Sequence, residues 1–131
     1  SASQIGALSA SSLSALDATQ AGALTETQIK GVTTTQIKGL SETDVAELSA
    51  TQIGALNASQ VGALSAEAVD SFTTTTIGAL SATQITGLTT TQIDYLSTTN
   101  ISALSDTQLA GFNQTQVGSM SDEQINAFLH L

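Results

Sequence analysis

Residues 49–64 decide the reading. Ser49-Ala50-Thr51-Gln52-Ile53-Gly54-Ala55-Leu56 is followed without a gap by Asn57-Ala58-Ser59-Gln60-Val61-Gly62-Ala63-Leu64. Both stretches begin with a helix-capping residue and carry Gln at the fourth position, a β-branched apolar residue at the fifth and Leu at the eighth. Extending the same cut in both directions divides residues 1–128 into sixteen octads with no insertion or deletion. Octad 1 is residues 1–8, octad 16 is residues 121–128, and residues 129–131 are left as a C-terminal remnant. A period kept without a slip means that every unit holds an equivalent place in one fold.

The columns carry the local structure. Position one is Ser, Thr, Asp or Asn in all sixteen octads, the residues whose side-chain oxygen accepts an orphan amide at a helix start. Position four is Gln in eleven of them, so its side chain can return to the cap residue's own N–H and close a capping box. Position five is apolar throughout and position eight is Leu, Val, Phe or Met. Position eight precedes the next cap and position five is the fourth residue after a cap, the arrangement of a hydrophobic staple, so Leu8 is expected to pack on Leu13 and Leu48 on Ile53. A helix start is written every eight residues.

One continuous α-helix does not fit these spacings. Apolar residues separated by three and five alternately average four per turn, and against 3.6 their stripe drifts by about 80° per octad. No partner could cover it. The ten glycines all stand at the sixth or seventh position, where a short helix must end before the next cap, through a left-handed residue or through close backbone packing. The expected fold is therefore all-α: a solenoid of very short helices, one per octad, wound into a superhelix with the Ile and Leu columns inside. A β-solenoid is the alternative, since Ile, Val and Thr favour strands, but residues five and eight would then face opposite sides. Two large side chains contribute about 3–6 kcal/mol when fully buried, whereas ordering eight backbone residues costs at least about 8 kcal/mol. A lone octad should not fold; only the array can.

Composition narrows the function. Eleven acidic residues against Lys30 and Lys38 leave a net charge of −9, which opposes binding to nucleic acid and to anionic membranes. No apolar run is long enough to span a bilayer. The chain has no Cys and a single His, so neither a zinc site nor a disulfide is expected. His130 has no indicated catalytic companion, no cofactor motif occurs, and no calcium loop of the D-x-[DN]-x-[DN]-G kind appears. Glu26, Glu42, Asp106, Asp122 and Glu123 fall in first turns, where they complement the helix dipole. An enzyme is not expected. The chain does not begin with Met and is expected to be a mature segment or a piece of something longer.

The consensus LSATQIGA, read from Leu48, resembles the octapeptide L-[ST]-x-x-Q-[IV]-x-A arrays of large secreted and cell-surface proteins of bacteria, and does so over the whole chain. That resemblance implies an extracellular or cell-surface location and a role as adhesin, filament or surface-layer component.

Two functions are expected from these features. The first is a structural array acting as spacer, stalk or self-assembling filament subunit. Octad 1 matches the consensus and the other end reads Phe128-Leu129-His130-Leu131, so neither end carries the polar cap a solenoid normally needs. Phe128, Leu129 and Leu131 are then candidates for end-to-end contact with a second copy or with more of the same array. The second is a binding module that presents one face to a cell-surface protein, a glycan or ice. Thr35, Thr43, Thr51, Thr75, Thr83, Thr91, Thr99 and Thr107 recur at position three and are expected to form a regular exposed row.

Overall fold

The computed structural model of the chain describes residues 1–130. Among them sixteen helices follow one another from α1 (Ala2–Gly6) to α16 (Asp122–Phe128), separated mostly by three residues, and no strand is present. The solenoid of one short helix per octad is observed; the β-solenoid is not. Each helix occupies positions two to six in most octads, begins on the cap at position one, and ends on position seven. Position one is extended, as Ser49 (φ −71°, ψ 160°), and position seven is right-handed helical, as Ala55 (φ −83°, ψ −12°). That change of backbone well over two residues is the bend repeated at every octad.

The wound chain is closed by contacts three and four octads away. Helices of octads 1 and 4, 4 and 7, 7 and 10, and 10 and 13 pack in sequence, as do those of octads 2, 5, 8, 11 and 14. Side-chain hydrogen bonds reach one octad further, from Gln36 in octad 5 to Ile5 and Leu8 in octad 1. One superhelical turn therefore holds between three and four octads, and neighbouring octads are rotated by between 360°/4 = 90° and 360°/3 = 120°. Position five faces the axis, with Ile53, Ile77, Ile85, Ile93 and Ile101 all 0% exposed, and the position-eight residues Leu56, Leu64, Leu80, Leu88, Leu96 and Leu104 close the same core.

Close approach accounts for six of the ten glycines, Gly6, Gly31, Gly39, Gly62, Gly87 and Gly111, and a left-handed conformation for none. No glycine has a positive φ; among the described residues the only one that does is His130 (φ 56°), where the chain leaves the octad path. A Cβ on Gly31, Gly39, Gly87 or Gly111 would collide with Ala2, Ala10, Ala58 or Ala82, each twenty-nine residues earlier on the turn below. Gly at position seven thus seats on Ala at position two, which brings backbones of adjacent turns together. Gly22, Gly78 and Gly118 meet nothing.

Candidate functional site

The feature that joins the turns is a ladder of glutamines. In the capping boxes Oε1 of the position-four Gln accepts the amide of its own cap, as Gln92 does from Thr89 at 2.8 Å. Its Nε2 has two protons left. It donates them to the carbonyls of positions five and eight of the octad four units earlier: Val61 at 2.9 Å and Leu64 at 2.7 Å for Gln92. The pattern repeats for Gln52, Gln60, Gln84, Gln108, Gln116 and Gln124. The position-five carbonyl already accepts the amide of position eight, as Val61 does from Leu64. The position-eight carbonyl ends the unit beyond its helix and receives its donor from the ladder. One primary amide therefore satisfies a helix start and a helix end a full turn apart, as buried backbone groups require. Among the described residues no buried side-chain polar atom lacks a partner.

The ladder stops at the N-terminal end. Gln4 and Gln20 are exposed and Gln28 half-buried, whereas Gln36 and the later position-four glutamines are buried. Their Nε2 groups have no preceding turn to reach. Inside the array it is interrupted where position four is Asp44, Ala68, Thr76 or Asn100. Asp44 accepts the Ser14 hydroxyl at 2.6 Å, and Asn100, one methylene shorter than Gln, reaches only the Phe72 carbonyl. Hydrogen bonds from Ser14 and from the backbone and side chain of Ser41 outweigh the upward push of burial and hold the Asp44 carboxyl below its ordinary 3.8.

Outside the core, the irregular octads share a side. Those without glycine are 2, 6, 9, 12, 13 and 16. Ser14–Asp44 joins octad 2 to 6, helix packing joins 6 to 9, 9 to 12 and 13 to 16, and Gln124 joins 16 to 12. Octads 6, 9, 12 and 16 hold eight of the eleven acidic residues, together with the exposed Tyr95. Lys30 and Lys38 belong to octads 4 and 5, outside this column.

The threonines at position three are exposed, Thr35, Thr43, Thr51, Thr75, Thr83, Thr91, Thr99 and Thr107 included. They do not form one flat row. With 90–120° between neighbouring octads they wind round the superhelix and face every side in turn. Phe128 is half-buried, and its ring meets Phe112 edge-to-face at 5.7 Å; Leu129 is 55% exposed. Leu131 lies outside the described residues. No group of three or more His, Cys, Asp and Glu side chains that could hold a metal occurs among the described residues, and no helix there is long and apolar enough to cross a membrane. A small apolar cavity of about 30 Å³ lies along the axis in the N-terminal half, lined by Leu13, Leu16, Ala21, Leu24 and Ile29 among others.

No family model, no curated protein and no solved structure matches the chain.

Proposed function

We propose that this chain is a structural array, a stiff spacer, stalk or filament subunit of an extracellular or cell-surface protein. The observation that carries this reading is the glutamine ladder. From Gln36 onward each position-four glutamine bonds to the octad four units before it, so the fold has a direction and no closing contact, and its length follows from the number of octads alone. Turns tied by two hydrogen bonds per glutamine as well as by an apolar axis resist bending and stretching, which serves a spacer and does nothing for turnover. The location rests on the likeness of LSATQIGA to the octapeptide arrays of bacterial surface proteins.

The test is small-angle X-ray scattering of the chain and of a tandem fusion of two 128-residue arrays in unbroken register. The expected result is a doubled length at constant cross-section. A fusion that thickens instead of lengthening sinks the reading. Labelling of intact cells with an antibody to the array tests the location; signal only after lysis would overturn it.

A second reading, a binding module, is favoured by the column of octads 2, 6, 9, 12, 13 and 16. Its acidic surface with Tyr95 suits a basic protein partner, and the winding threonines do not offer the flat lattice that ice would need. Replacing Glu67, Asp70 and Asp94 by Gln distinguishes the two readings, because a spacer retains its full role in that variant.

A further inference from the structure

We infer that Asn57 and Asn113 are attachment sites for N-linked sugar, and that Asn100, which stands in the same kind of tripeptide, is closed to it. The inference rests on the extracellular or cell-surface location proposed above and goes beyond it by assigning a covalent modification to two named side chains.

An acceptor asparagine is followed two residues later by Ser or Thr, with any residue but Pro between them. The chain holds three such tripeptides, Asn57-Ala58-Ser59, Asn100-Ile101-Ser102 and Asn113-Gln114-Thr115. By sequence they are equal, and position three is Ser or Thr in fourteen of the sixteen octads, so an Asn cap forms the motif almost automatically. The structure separates them. Asn57 and Asn113 are exposed caps whose Oδ1 accepts the amides of Gln60 and Gln116, both at 2.9 Å. Among the described residues neither Nδ2 makes a hydrogen bond, and Ser59 and Thr115 are exposed beside them. Asn100 is 4% exposed, and its Nδ2 donates to the Phe72 carbonyl at 2.9 Å. A sugar on that nitrogen would need the space that the turn below already fills.

The atom that the fold leaves idle is the one the reaction uses. Transfer from an activated sugar diphosphate, lipid-linked or nucleotide-linked, forms a bond between Nδ2 and the anomeric carbon and breaks that carbon's bond to the phosphate oxygen. The diphosphate leaves with the electron pair, and one Nδ2 proton passes to a base of the transferase. Oδ1 is unchanged, so the Gln60 and Gln116 amides keep their acceptor and both capping boxes survive the modification. The two sites also share a side. Octad 8 packs on octad 11, one turn on, and Gln116 ties octad 15 to octad 11, another turn on. Bulky, hydrated sugar at both would clothe one flank of the superhelix.

The experiment is peptide mass mapping of the folded protein purified from whole cultures of the cells that make it. Sugar is expected on the peptides that contain Asn57 and Asn113 and not on the one that contains Asn100. An amidase that cleaves the sugar–asparagine bond should leave Asp at both positions. The variant S59A/T115A keeps both Asn caps but lacks the hydroxyls of the motif, and should lose the sugar completely. The variant N57D/N113D should lose it as well and fold like wild type, because a carboxylate oxygen caps equally well, as Asp17 does for the Gln20 amide. Sugar at neither site, sugar that survives in S59A/T115A, or sugar on Asn100 of the folded protein overturns the inference. Because whole cultures are used, the map decides the sugar whatever the cell-labelling result. A sugar-free chain that labels on intact cells overturns this inference and leaves the location standing; label only after lysis overturns the location.

Discussion

The carboxamide nitrogen of Gln92 lies 2.7 Å from the carbonyl oxygen of Leu64, twenty-eight residues earlier in the chain. No group in the octad of Leu64 donates to that carbonyl; the Gln92 amide does. Stability of the array is thus concentrated in a side chain that a capping box alone would leave half used.

Gln92→Ala removes two hydrogen bonds to the turn below and strands the Leu64 carbonyl without water. The expected loss is about 2–4 kcal/mol. Gln20→Ala removes only the bond to the Asp17 amide, because no turn lies below it, and should cost about 0.5–1 kcal/mol. Urea denaturation followed by circular dichroism compares them; equal losses would mean that the ladder adds nothing beyond the cap.

The glycines separate into two classes with opposite signs. Gly87→Ala forces a Cβ into the backbone of Ala58 and is expected to destabilise by about 1–3 kcal/mol through overpacking. Gly78→Ala meets open space at a right-handed helical position and should stabilise by about 0.4–1 kcal/mol, since alanine has less freedom to lose on folding. Thermal melts of the two variants decide it, and a stable Gly87→Ala would refute the close-approach account.

Asp44 makes one part of the stability pH-dependent. Its folded carboxyl titrates below 3.8, so its contribution is present in full above that value and is lost as the pH falls through the lower folded one. In Asp44→Gln that contribution is absent, and the new amide stands opposite the Leu13 and Leu16 carbonyls. The difference in melting temperature, wild type minus variant, should be level near neutrality and decline below about pH 4. All other carboxylates are common to both proteins and cancel. A difference that stays level into acid would show the Ser14–Asp44 bond to be without effect.

Ala21 is the one position-five residue smaller than Val, and it lines the axial cavity. Ala21→Val should fill part of that space and stabilise by about 0.5–2 kcal/mol. Differential scanning calorimetry reads the gain; a fall in melting temperature would mean that the surrounding leucines cannot accept the extra methyls.

Much of the fold is legible in the columns. Ser49, Gln52, Ile53 and Leu56 act on one another within eight residues, and the preference of each for a cap, a box or a core belongs to the residue type. The glycine columns were legible as the place where each helix ends, through a left-handed residue or through close backbone packing. Which of the two applies, and against what, was not, because a Cβ on Gly87 meets Ala58 and not any neighbour in its own octad. The expected threonine row illustrates the same boundary: exposure of Thr51 and Thr83 follows from their place in a first turn, while the direction each faces depends on the winding.

By itself, then, the sequence determined the unit: a five-residue helix, capped at its first residue, turned at its seventh, with an apolar pair facing inward. Tertiary structure decided how many units make a turn. That number is the sum of small backbone bends over three or four octads, and a change of a few degrees at each would set Gln92 opposite a different carbonyl. The second bond of every glutamine, the seating of glycine on alanine, and the gathering of acidic octads on one side all follow from that winding, which no single octad encodes.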